Sequence, residues 1–213
     1  MSKQHTAPEQ SAAQHETRER IIAAAYKVLA EKGYDATTLR EISREAEAAP
    51  GLVHYYFGGK DQLLVEVLKA VGNRYTQATE HLSRRVAPDQ LMEAVLAQPF
   101  ARVSQEPEWY RLRYELFALG LHNALLAPGV RDLLAQGRHA IGKAVSLVRQ
   151  SAQEIQTPEA TADWAVDPLT LAALLLAVFD GLALQKIMDP DVDLDAAYRL
   201  LTQMLRCLLA GEE

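Results

Sequence analysis

The chain has 213 residues, 49% hydrophobic and 23% charged, with a formal net charge of −6. That length and apolar content can bury a substantial core as one small and one larger domain, which excludes a chain too polar to fold. A single cysteine, Cys207, excludes an intramolecular disulfide, fits a reducing cytoplasm and is expected to pack in a C-terminal apolar stripe.

Residues 1–15 are polar, rich in Gln and Ala, and are expected to form a disordered tail; without a charged-then-apolar leader, secretion is not expected and the location is read as cytoplasmic. Residues 37–60, TTLREISREAEAAPGLVHYYFGGK, read as two short helices crossing at a tight turn, the layout of a helix-turn-helix DNA reader. Thr38-Leu39-Arg40-Glu41 forms a capping box, in which the Thr hydroxyl caps the Glu41 amide and the Glu41 carboxylate reaches back. Leu39, Ile42 and Ala46 then give a one-sided apolar stripe. Pro50 suits the first position of the second helix, since its φ is fixed and its missing N–H is not needed there. Val53 and Phe57, four apart, face inward and leave Pro50, Leu52 and Tyr55 outward, an unusual exposed set unless something packs against it.

Beyond Gly58-Gly59, Asp61 to about Arg84 reads as one long helix with Leu64, Val67, Leu68, Val71 and Tyr75 at helical spacing. Pro88 opens a helix carrying Leu91, Val95 and Leu96, Pro107 opens one carrying Trp109 to Leu121, and Pro128-Gly129 marks the start of the next. Segment 155–168, with Pro158 and Pro168, reads as an exposed connection. The last two helices span about 169–188 and 194–210 and are apolar around much of their circumference, which fits an intersubunit interface or the protomer's own core. Leu169 to Met188 is long enough to span a bilayer, but Asp180, Gln185 and Lys186 interrupt it, so a core or interface helix is expected and no membrane. No alternating β-branched runs appear, and the fold class is all-α with about nine helices.

The run from Thr17 to Leu64 resembles the N-terminal domain of tetracycline-repressor-like (TetR family) regulators over about a quarter of the chain. The matching cues are Gly33-Tyr34 at the end of a first helix, Thr37-Thr38 at the start of the second, Gly51 to Phe57 as the third, and Gly59-Lys60-Asp61-Gln62-Leu63-Leu64 opening the fourth. The resemblance implies a three-helix reading domain over 16–62 and a helical ligand-binding and dimerisation domain over 63–213. Two departures stand out. Glu47-Ala48-Ala49 replaces the family's usual Gly-Val-Ser turn, and His54 stands where a Tyr is common; the turn changes cost local stability of about 1 to 2 kcal/mol.

The resemblance implies a ligand-responsive transcriptional regulator, by default a repressor that binds a palindromic double-stranded operator as a homodimer through helices 169–188 and 194–210. Pro50, Gly51 and Leu52 then face base edges, where apolar side chains touch thymine methyls but make no bidentate pair. Thr38, His54, Tyr55 and Lys60 bind phosphates, and Arg40 joins them as a nearby cation. Residues 1–70 carry −1 and the remainder −5, so the electrostatic footprint on DNA is modest. On the helix after Pro107, Tyr110, Tyr114, Phe117 and Leu121 share one face, with Trp109, Arg113 and His122 nearby. Taken alone this stripe is ordinary core or a pocket wall; the resemblance favours a pocket for a small, mainly apolar or aromatic effector.

Other classes fare worse. No nucleophile elbow, phosphate loop or HExxH occurs, and no two His residues are spaced i, i+4, so neither an enzyme, a cofactor nor a metal is expected. Asp189, Asp191, Asp193 and Asp195 mimic an EF-hand start, but Leu194 and Leu200 occupy its Gly and Glu positions, leaving a turn and helix cap. The remaining alternative is a helical interaction protein that has lost DNA binding.

Overall fold

The computed structural model describes residues 7–155 and 167–210. Among them are nine helices: α1 Ala7–Lys32, α2 Leu39–Glu45, α3 Pro50–Phe57, α4 Lys60–Arg85, α5 Pro88–Gln105, α6 Pro107–His122, α7 Ala127–Ile155, α8 Pro168–Met188 and α9 Leu194–Ala210. The protein is all-α. Residues 7–15, expected in a disordered tail, are instead the first turns of α1; residues 1–6 and most of the 155–168 connection lie outside the described residues.

The residues divide into two compact units, and the boundary differs from the one at 62/63 expected from sequence. The first unit runs to Val71 and takes in Arg111–Asp132; the second comprises Gly72–Tyr110 and the chain from Leu133 onward. Sequence periodicity does not show where a long helix passes from one core to another, which is why α4, α6 and α7 each contribute to both units.

In the first unit, α1 packs on α2 and α2 on α3. Ile21, Ala25 and Leu29 of α1, Ile42 and Ala46 of α2, Val53 and Phe57 of α3, and Leu63, Leu64, Val67 and Leu68 of α4 are all buried. Leu112 and Leu116 of α6 and Leu126 near the start of α7 join this core. Helices as short as α2 and α3 are marginal alone, so this shared apolar face is what holds them.

In the second unit, Leu91 and Val95 of α5 meet Ala144 of α7, with Leu82, Val86, Leu147 and Val148 packed around them. α8 buries Leu171, Leu175, Phe179 and Ala183 on one side and packs on α5 and α9. The Phe179 and Tyr198 rings stack, and Phe100 meets Tyr198 edge-on at 4.9 Å. By length and composition alone α8 could cross a bilayer, yet one face is protein core, as expected for a core or interface helix. Lys186 at its end donates to the Pro190 and Val192 carbonyls at 2.6 and 2.8 Å. Asp189 accepts from the Asp191 amide and Asp193 from the Ala196 amide, so the aspartate run is a turn and helix cap.

The α2–α3 turn bears out the sequence departures. Glu47 sits at φ 49°, a left-handed conformation that disfavours a side chain, and Ala49 is the N-cap of α3 with no side-chain bond to the helix amides. Glu47→Gly is expected to raise unfolding stability by about 1 kcal/mol, and Ala49→Ser by a further ~1 kcal/mol, as measured by urea denaturation. A destabilised Glu47→Gly variant would show that the turn is not strained.

Candidate nucleic-acid interface

The interface is built from α2 and α3 outward. Thr38 caps α2: its hydroxyl accepts from the Glu41 amide at 3.2 Å, and the Glu41 carboxylate accepts from the Thr38 amide at 3.0 Å. The Thr38 hydroxyl and the Lys32 ammonium also donate to that carboxylate, at 2.9 and 2.6 Å. Lys32, followed by the Thr38 donors, holds Glu41 ionised and lowers its pKa from 4.5 to about 2. The Arg20 guanidinium donates to the Ala46 carbonyl at 3.1 Å, closing the other end of α2.

Pro50 opens α3 at its first position, and Gly58 closes it at φ 72° with its amide on the His54 carbonyl. Val53 is wholly buried, whereas Leu52 is 38% and Tyr55 75% exposed. Pro50, Gly51 and His54 are exposed too, and nothing lies within 4 Å of where a Gly51 side chain would begin. His54 and Tyr55 therefore stand out from the core. All the α2–α3 residues expected at DNA lie on exposed surface, with one difference at the edge of the set.

That difference is Lys60. It is half-buried, its ammonium donates to the Tyr34 carbonyl and it lies 3.9 Å from the centre of the Tyr34 ring. It is a tie within the first unit before it is a phosphate ligand. Other cations are engaged likewise: Lys27 pairs with Glu45 at 2.6 Å, and Arg18 with Glu66. Arg40 and Arg44, one turn apart on α2, are exposed and have no ion pair among the described residues. They are the cations best able to meet phosphates.

Sequence reading missed the frame behind this surface. Glu115 of α6 accepts from the Tyr34 amide at 2.6 Å, and Gly33 makes room: a side chain there would start 3.1 Å from the Glu115 carboxylate, at φ 79°. The Tyr34 hydroxyl donates to Asp61, which also accepts from the Asn123 amide group at 3.4 Å. Burial, then the Asp61 bond, raises the Tyr34 phenol to about 12. Partners 81 residues apart leave no local signal.

The expected effector residues all lie on α6 and are divided between the two units. Trp109 and Tyr110 belong to the second unit, and Arg113, Tyr114, Phe117 and His122 to the first. Tyr110 is buried with its hydroxyl donating to the Pro99 carbonyl at 3.4 Å; Trp109 lies under the Arg102 guanidinium at 4.9 Å. Arg113 is buried over the Phe117 ring at 4.6 Å, while Tyr114 and Phe117 are half-buried and His122 is exposed. Leu121, read as part of the apolar stripe, is 81% exposed because the helix ends one residue later. A groove of about 520 Å³ in the second unit, lined by Leu96, Phe100, Tyr198 and Arg199 among others, includes none of the expected residues.

Residues 21–67 match the family described as bacterial regulatory proteins, tetR family. The transcriptional regulator HbdR of Aromatoleum sp. is 47% identical over 62 residues, 29% of this chain and 27% of that protein. The transcriptional repressor NicS of Pseudomonas putida is 29% identical over 127 residues, 59% of this chain and 58% of that protein. The chain thus spans between 27% and 58% of the length of these curated relatives. The solved structure of the transcriptional regulator FadR from Bacillus subtilis in complex with stearoyl-CoA has a TM-score of 0.66 at 20% identity, covering 92% of this chain and 99% of that one, a likeness of fold.

Glu41 is expected to titrate near pH 2 by NMR, with the Lys32 ammonium and then the Thr38 donors of the capping box as the reason. Because the folded pKa is depressed, its stabilisation is fully present above pH 4.5 and is lost as pH falls toward about 2. Thr38→Val removes the hydroxyl and should move the Glu41 midpoint up toward 4.5; an unmoved midpoint would leave the Lys32 ammonium and the Thr38 amide responsible.

Proposed function

From the match of residues 21–67 to the tetR family we propose that this chain is a TetR-family protein, a ligand-responsive transcriptional repressor binding a palindromic operator as a homodimer. The observation that carries the reading is α3 itself, whose core side holds Val53 and Phe57 while Leu52 and Tyr55 stand out in water. A leucine and a tyrosine held outward on an eight-residue helix suit insertion into a major groove. Arg40 and Arg44 flank this face and pair with phosphates, with Thr38, His54 and Tyr55 adding polar contacts.

Dimerisation rests on the second unit. Leu174, Val178, Gly181 and Met188 recur along the uncovered side of α8, and Leu200, Met204 and Cys207 along that of α9. Leu174, Leu200 and Met204 are each about 60% exposed. Two such stripes, too apolar for solvent, complete a bundle with a second copy. Gly181 has nothing within 4 Å of an added side chain, so a partner helix can approach closely there.

The effector acts through α6, where Trp109, Tyr110, Arg113, Tyr114 and Phe117 stand along one helix; His122, exposed at its end, is left out. A mainly apolar ligand suits these residues, and the stearoyl-CoA bound by FadR supports that class. Movement of α6 reaches the reader through Glu115, which holds the turn after α1, and through Asn123, which holds Asp61 at the start of α4. A coupling of ~1 to 3 kcal/mol suffices for regulation.

Titration of the full chain against its own upstream DNA at several salt concentrations tests the assignment. Saturable binding that survives nonspecific competitor is expected, with a log-log salt slope of about −2 per protomer from Arg40 and Arg44. Arg40→Gln should flatten that slope by about one, uniformly across sequences. A dimer that binds no DNA at low salt would sink the repressor reading and leave a helical interaction protein, which the strained Glu47 turn would then explain. Met204→Glu places a charge in the proposed interface, and sedimentation should show a monomer with weakened operator binding; an unchanged dimer places the interface elsewhere.

A further inference from the structure

A helix laid in the major groove meets the bases with the side chains opposite its buried face. Opposite Val53 and Phe57, helical spacing places Gly51, Leu52 and Tyr55, and the exposures agree. The whole helix reads PGLVHYYF. It holds no Arg, Lys, Asn or Gln to make the bidentate pairs that pick out guanine or adenine, and no Asp or Glu to accept from cytosine. Leu52, 38% exposed in the first turn, offers only methyl groups. Gly51 beside it leaves the backbone bare, with open space where a side chain would begin, so the helix can seat Leu52 deep against a base edge.

One apolar group is displayed by the four bases in that groove, the C5-methyl of thymine. Resting on the DNA-reading assignment above, we infer that α3 reads the C5-methyl group of a pyrimidine through Leu52, with the Tyr55 ring beside it, once in each half-site. Leu52 has neither donor nor acceptor, so it does not distinguish the O4 of thymine from the N4 amine of cytosine; the methyl decides. The recognised class is therefore a 5-methylpyrimidine, and 5-methylcytosine satisfies the contact as thymine does. Arg40 and Arg44 on α2 set affinity through phosphates, and base discrimination by α3 comes from methyl packing.

The test uses the full-chain protein and duplexes it selects from a randomised DNA pool. Each thymidine of the selected half-site is replaced in turn by deoxyuridine, which lacks only the C5-methyl. At the contacted position the expected loss is about 4-fold, and roughly 15-fold with both half-sites replaced. At that same position, 5-methylcytosine should bind about 4-fold tighter than cytosine. Leu52→Ala, at an exposed site whose loss leaves the helical dichroism intact, should bind thymine and uracil duplexes equally and ignore cytosine methylation. The inference is overturned if uracil is tolerated at every position, or if the uracil penalty survives in Leu52→Ala, which would trace it to the Tyr55 ring or to the stiffness of the DNA and away from Leu52. Recovery of no duplex from the pool would overturn the DNA-reading assignment itself, and this inference with it.

Discussion

Tyr34 is the residue on which the first unit turns. Its amide donates to Glu115 of α6, its carbonyl accepts from Lys60 at the start of α4, and its hydroxyl donates to Asp61. Its ring lies beneath the Lys60 ammonium. This single residue beyond the end of α1 thus ties that end to the start of α4 and to the middle of α6, and its carbonyl also accepts from the Thr37 amide at 3.1 Å. Polar groups in a partly buried site are expensive unless paired, so the arrangement tolerates little drift. The positive φ of Gly33 aims the Tyr34 amide outward, and the missing side chain at that position leaves the Glu115 carboxylate its seat.

The reader held by this frame spends its charges at home. Lys27, Lys32, Arg18 and Lys60 engage carboxylates, a carbonyl or a ring within the same unit, which leaves α2 with the two arginines facing outward. A surface of this kind offers DNA a small electrostatic attraction and a specific apolar shape. It also accounts for a net acidic chain carrying a DNA-reading motif, because the number of available cations near α3 matters more than the sum over the chain. The strain at Glu47 is borne by the same short segment. Ile42 and Ala46 on one side and Val53 on the other are buried firmly enough to hold a turn whose sequence opposes it.

What the sequence made legible was local. The Thr38–Glu41 box, Pro50 at the head of α3, the inward pair Val53 and Phe57, and the stripe of Leu64, Val67, Leu68 and Val71 on α4 all rest on spacings of three or four residues, and each stands as read; the Tyr75 side chain lies outside the described residues. Glu47 was legible as a residue forced into the conformation of the turn, since the φ it adopts follows from the place a Gly usually holds. Contacts across long separations were not legible. Nothing near Glu115 says that its partner is the amide of Tyr34, and nothing near Lys60 says that its ammonium turns inward. Periodicity likewise put Leu121 in one stripe with Tyr110, but a shared helix face guarantees no neighbour for its last turn. The buried Arg113 escapes the expectation that charges face water, and the division of α6 between two cores has no signature in an unbroken helical pattern.

Under the proposed function, the Glu115 contact with the Tyr34 amide is a joint that transmits in both directions. If a ligand on α6 displaces the turn at Gly33 and loosens the grip on DNA, then DNA holding that turn in place must loosen the grip on the ligand by the same factor. The promoter is then a competitor of the inducer, although the two never touch. On that proposal, ligand affinity measured on the free protein would overstate the affinity of the molecules seated on DNA, and the concentration that opens a gene would depend on how many copies are bound there.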